Sequence, residues 1–183
     1  ERGLGEGLGT LRGIPKERIL CVRGDYDQME NLLELYRIPH TTVRREALGD
    51  RSLRAARVLF ANCARRPDSL AETRRVVELV RAFVERGGWL LTSDWALDPY
   101  LSLGFPGAIE RVEPVRVQED TTIAVAPADA RHPLLDGVFP PRVESRWWLE
   151  QSSKFFVARD RERAQVLVRS EDSRERYGAG DVV

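Results

Sequence analysis

The sequence predicts a doubly wound α/β fold, with a mainly parallel sheet covered by helices and a β-rich C-terminal half. Three observations carry this. A helix over Ser69–Glu85 turns directly into an apolar run, Trp89-Leu90-Leu91-Thr92. Upstream, strand and helix patterns alternate from Ile19 onward. Downstream of residue 104, short strand-like runs replace the helices. Strands alternating with helices imply right-handed crossovers and parallel pairing.

Taken in order, residues 1–18 hold Gly3, Gly5, Gly7, Gly9 and Gly13 and read as a glycine-rich linker or poorly ordered arm, because fixing so much glycine is entropically costly. A linker implies that the domain, residues 19–183, comes from a longer polypeptide. Ile19–Val22 is the first strand and Arg23-Gly24-Asp25 the turn after it. Asp25 and Gln28 have capping-box spacing ahead of a helix whose buried stripe is Met29, Leu32, Leu33 and Tyr36, stopped by Pro39. His40–Val43 is the second strand, Arg44–Arg54 a polar connection, and Arg57–Ala61 the third strand. Pro67 then halts the chain. Ser69 and Glu72 form another S-x-x-E box, and Val76, Val77, Val80, Phe83 and Val84 make one helical face. Gly87-Gly88 ends that helix. Trp89–Thr92, apolar on both faces, belongs in the middle of a parallel sheet.

After Trp95 the pattern changes. Ala96–Leu103 reads as a short helix broken by Gly104 and Pro106. Val112–Gln118 and Thr121–Ala126 read as a hairpin around Glu119-Asp120. Residues 131–138 form a turn or a single helical turn. Arg142–Glu150, Lys154–Ala158 and Ala164–Arg169 are strands, Glu171–Arg176 is a charged loop, and Asp181-Val182-Val183 looks like the start of a strand. A fold that continues past Val183 is the expectation.

Composition narrows the function. Basic and acidic side chains balance at 29 each, so no electrostatic argument favours nucleic acid or an anionic membrane as partner. No run reaches the ~20 apolar residues of a membrane-spanning helix. Cys21 and Cys63, the only cysteines, sit at the ends of predicted buried strands, which fits a reducing, cytoplasmic setting. No cofactor is implied, since there is no G-x-G-x-x-G, no Walker A, no H-E-x-x-H and no C-x-x-C. No metal site is implied either.

Ligands of open parallel sheets bind beyond the carboxyl ends of the strands. Three segments should meet there, carrying Gly24, Asp25, Asn62, Cys63, Ser93, Asp94 and Trp95. Each has an ordinary structural role beside a functional one. Asp25 is a helix cap; Asp25-x-Asp27 has the spacing of phosphate-transferring aspartate pairs without their context. Cys63 is a small buried hydrophobe or, with a base to hand, a nucleophile. Ser93 and Asp94 lie where a strand-to-helix elbow would project a side chain, although the glycines of G-x-S-x-G are absent. Neither His40 nor His132 is tied to Cys63 by a motif. Further on, Trp147-Trp148 and Phe155-Phe156 should each send one ring inward and one outward. With Arg142 and Arg146 nearby, the outward rings form an interaction patch or lie under a flanking segment.

In their order, ILCV-RGD at the first strand, RVLFANC at the third and VRAFVERGGWLLTSDWAL at the elbow resemble the class I glutamine amidotransferase-like superfamily. His132–Val138 (HPLLDGV) and Gly178–Val183 (GAGDVV) resemble segments of its non-amidase, trehalose-utilisation-protein-like branch. The resemblance implies a flavodoxin-like three-layer sandwich with a nucleophile position at the elbow. In active members that position is a cysteine between glycines, served by a late histidine and glutamate. Here it reads Thr92-Ser93-Asp94-Trp95 and no His-x-Glu follows. The leading expectation is therefore a catalytically silent module that binds a ligand, a protein partner or other domains of its own polypeptide. The alternatives are a hydrolase using Asp94 or Ser93 with Asp25 or Asn62 assisting, and an assembly domain, a homo-oligomer among the options, using Trp147 and Trp148.

Overall fold

Four short runs build one parallel sheet. Ile19–Val22 (β1), Thr41–Val43 (β2), Val58–Ala61 (β3) and Trp89–Thr92 (β4) align in the order β2-β1-β3-β4, every pair parallel. The structure, a computed structural model, describes residues 2–65 and 69–182, and it separates into two units, Glu1–Gly104 and Phe105–Val183. The expected role of Pro67, and Val183, lie outside the described residues.

Both faces of the sheet are covered. Leu20, Val22, Leu59 and Ala61 pack against Leu53 of α3 (Asp50–Ala55) and Val76, Val80 and Phe83 of α4 (Leu70–Glu85). Ile19, Cys21, Val58 and Phe60 meet Leu33 of α2 (Met29–Leu35), Ile38 and Leu8 of α1 (Arg2–Arg12). Period-2 alternation thus divides β1 and β3 between two helical layers. This is the flavodoxin-like three-layer α/β architecture expected. The expected start of α4 is also found, with the Ser69 hydroxyl accepting the Glu72 N–H at 3.2 Å. Its end falls just ahead of Gly87, which has φ 86°.

Several local expectations are corrected. The glycine-rich arm carries helix α1, held by Leu8 in the core and by Arg12 donating to the Tyr36 carbonyl at 2.9 Å. The connection Arg44–Arg54 is a 3₁₀ turn, Arg45–Ala47, followed by α3, with Leu48 and Leu53 fully buried between arginines that face out. Asp25 does not cap α2, whose cap residue is Gln28. Of its expected stripe only Leu33 is buried; Leu32 and Tyr36 are exposed. β4 closes one end of the sheet order rather than sitting in its middle. Its Leu90 joins the α3/α4 core, while Trp89 (63 % exposed) and Leu91 face out.

The second unit is antiparallel. Ile109–Arg116 (β5), Thr121–Pro127 (β6), Ser145–Leu149 (β7), Lys154–Ala158 (β8), Val168–Arg169 (β9) and Asp181–Val182 (β10) form a sheet of order β10-β9-β6-β7 and a two-stranded sheet β5-β8. The expected hairpin is not formed. β5 pairs with β8, and β6 with β7 and β9. The expected charged loop is helix α5 (Glu171–Tyr177), capped by the Ser170 hydroxyl and closed by Gly178 at φ 72°. Phe155 and Phe156 are both buried, against the alternation expected of them. Trp147 stacks on Phe139 with ring centres 6.1 Å apart, and Trp148 is exposed. No helix among the described residues is long and apolar enough to cross a membrane.

Candidate functional site

All seven residues expected at the carboxyl edge of the parallel sheet lie there, on the segments that follow β1, β3 and β4. The β1 and β3 segments are locked together first. The Cys63 carbonyl accepts the backbone N–H groups of Asp25 and Tyr26 at 3.0 and 3.1 Å. Gly24 permits this approach: a Cβ there would stand 2.3 Å from the Cys63 carbonyl oxygen and 2.7 Å from Asn62 Cβ. Asp25 accepts the Arg65 N–H at 2.7 Å, so its carboxylate braces the loop after β3.

Asn62, almost wholly buried, performs the capping expected of Asp25. Its Oδ1 accepts the Met29 N–H at 3.2 Å, and its Nδ2 donates to Glu30 Oε2 at 2.7 Å. A side chain from β3 thereby satisfies an orphan donor at the start of α2. Asp25 is thus engaged with Arg65, and Asn62 with Met29 and Glu30.

The β4 segment completes the array. Ser93 donates its hydroxyl to the Asp27 carboxylate. Asp94, with φ 40°, occupies the left-handed region that non-glycine residues visit rarely and that short polar side chains tolerate best. Its Oδ2 lies 3.6 Å from Cys63 Sγ, which donates to it. Trp95 meets Tyr26 edge to face at 5.6 Å, and Arg65 Nε donates to the Tyr26 hydroxyl at 3.2 Å. Asp27, Tyr26 and Glu30 thus belong to the cluster, although strand order and motif spacing do not single them out as site residues. Spacing marks Asp27 as half of a D-x-D pair; nothing in it foretells the Ser93 contact.

Cys63 therefore reaches the elbow from the neighbouring strand, but as a thiol. Burial pushes its pKa up from 9.0 to about 11; a backbone hydrogen bond from Trp95 works the other way, and Asp94 and Asp27 raise it further. The two histidines serve elsewhere. His40 Nδ1 is 3.0 Å from the Ile38 carbonyl, at the opposite end of the strands, and His132 caps its own 3₁₀ turn. The Asp27 and Asp94 carboxylates thus act as the acceptors that orient the Ser93 hydroxyl and the Cys63 thiol.

A pH dependence follows. Native-state alkylation of Cys63 by iodoacetamide should be negligible near neutrality and climb about tenfold per pH unit towards pH 11, followed by mass spectrometry against the denatured chain. Because the folded pKa is raised, the stabilisation is complete below pH 9.0 and is lost as pH rises towards about 11. Rapid labelling of Cys63 at neutral pH would contradict the geometry.

The sequence matches no protein-family model and no curated protein. Among solved structures, the fold is similar to a glutamine amidotransferase from Thermotoga maritima, with a TM-score of 0.60 and 13% identity, covering 84% of this chain and 67% of that one. It is also similar to a Thermoplasma acidophilum protein provisionally named as a GMP synthase subunit, with a TM-score of 0.55 and 13% identity, covering 84% of this chain and 72% of that one. At this identity the likeness establishes the fold alone.

Proposed function

We propose that this chain is an amidotransferase-like module that does not hydrolyse glutamine and instead binds a small ligand or a protein partner, as part of a longer polypeptide. One observation carries the reading. The elbow after β4 presents Asp94, and the thiol nearest to it, Cys63, is protonated and bonded to that carboxylate. The HPLLDGV segment and the missing elbow cysteine support the trehalose-utilisation-like branch. Two free, buried cysteines support a reducing, cytoplasmic setting.

The test is ammonia release from glutamine, coupled to glutamate dehydrogenase. The expected rate equals the blank for wild type and for Cys63→Ala alike. Turnover by the wild type that Cys63→Ala abolishes would overturn the proposal. The positive φ of Asp94 favours a second reading, a hydrolase with Asp94 as nucleophile, because it aims that side chain away from the strand. Against it stands the Cys63 thiol bonded to the carboxylate that would have to attack.

A further inference from the structure

β7 ends the sheet order β10-β9-β6-β7, so among the described residues it has a strand neighbour on one side only. Its sequence, Ser145-Arg146-Trp147-Trp148-Leu149, contains no lysine or proline to blunt that edge. One face of the strand is committed, since Trp147 stacks on Phe139 and Leu149 packs beside the Ile123 core. The other face continues through Arg146, Trp148 and Glu150, all exposed.

The backbone phase of β7 can be read from its neighbour. Ala124 lies opposite Arg146, and the Ala124 N–H donates to Asp172 Oδ2 at 3.0 Å instead of to β7. Ala124 and Arg146 are therefore a non-hydrogen-bonded pair. The N–H and C=O groups of Arg146 and Trp148 point to the open side, and those of Ser145, Trp147 and Leu149 point to β6.

From this edge we propose that β7 pairs antiparallel with β7 of a second copy of this chain, on a two-fold axis passing through Trp148. Side-chain and hydrogen-bond alternation restrict a symmetric pairing to axes that pass through a residue. An axis at Ser145 would set Trp148 against Arg142, at φ 64°, and an axis at Leu149 would set Arg146 against Ser152, at φ 72°, whose N–H already donates to the Val117 carbonyl. An axis at Arg146 sets that residue against its own copy. An axis at Trp147 sets Glu144 against Glu150. Only at Trp148 does the side-chain pattern become self-complementary: Trp148 faces Trp148, and Arg146 faces Glu150 twice, with the Glu150 carbonyl, which accepts the Ser153 N–H, offering its second lone pair to the new strand. Like charges directly opposite are destabilising, whereas opposite charges and aromatic pairs stabilise. Strand addition of this kind takes its affinity from the backbone and its register from the side chains.

Sedimentation velocity of the full chain over a concentration series tests the proposal, which is independent of glutamine chemistry. The wild type should dimerise, and Arg146→Glu or Glu150→Arg should weaken the dimer at least ~10-fold. The double variant Arg146→Glu/Glu150→Arg should restore it. Both sites are solvent-facing, so circular dichroism should be unchanged. If Arg146→Glu disturbs the Arg146 contacts with Glu144 and Asp172, Glu150→Arg carries the test alone. A wild type that stays monomeric to ~100 µM, a dimer indifferent to Glu150→Arg, or one tightened by it would overturn the proposal.

Discussion

Gly24→Ala should lower the stability of the N-terminal unit by about 3 kcal/mol, the upper end of ordinary overpacking penalties. A Cβ at this position meets three fixed neighbours: the Cys63 carbonyl oxygen at 2.3 Å, Asn62 Cβ at 2.7 Å and the Asp27 carbonyl oxygen at 3.0 Å. Two of these are backbone atoms and the third is anchored to the backbone, so no flexible side chain can swing aside. Relief requires the β1 and β3 loops to part, which breaks the bonds from Asp25 and Tyr26 to the Cys63 carbonyl. The loss should appear in urea denaturation with an unchanged slope, and as a melting point lower by on the order of 10 °C. A variant melting within a degree or two of wild type would show that the two loops do not touch as described.

Asn62→Ala is the second large effect, expected to cost about 2 kcal/mol. It leaves the Met29 N–H without its acceptor and the Glu30 carboxylate without its donor at an almost wholly buried position. Asn62→Asp separates the two contributions. It keeps an acceptor for Met29 but sets a carboxylate where the amide now lies 2.7 Å from Glu30 Oε2, and should be destabilised at least as much at neutral pH. Chemical denaturation of both variants checks this. If Asn62→Asp proves as stable as wild type, the Glu30 contact contributes nothing.

The parts of the fold legible in the sequence are those whose signals are local. The Ser69 cap, the valine stripe of α4 and Gly87 all lie within one helix, and each stands where its chemistry puts it. Helix α3 is hidden because Leu48 and Leu53 stand among arginines, which read as a solvated connection until the sheet supplies something to bury against. Helix α1 is hidden because its glycines outweigh the helical spacing of Leu4, Leu8 and Leu11. In α5 the signals are present, with Ser170 ahead of Glu171 and Asp172 and Gly178 behind Arg174 and Arg176, but the density of charge masks them. The hairpin fails for another reason. Which strand β5 joins depends on a partner some forty residues away, and adjacency in the chain says nothing of that.

The candidate site follows the same division. That Gly24, Asp25, Asn62, Cys63, Ser93, Asp94 and Trp95 share one edge follows from strand order alone. What each does there depends on tertiary partners. Asn62 takes the capping role that spacing assigns to Asp25, while the Asp25 carboxylate accepts the Arg65 N–H.

The two sides of the parallel sheet are unequally filled. Among the described residues, twelve buried ones form the cluster on the α3/α4 side, against four on the α1/α2 side. Local opening takes least free energy where the fewest apolar contacts must part, so amides under the thinner layer exchange with solvent through partial openings that leave the other layer closed. Asn62 crosses that divide, tying the start of α2 to the end of β3.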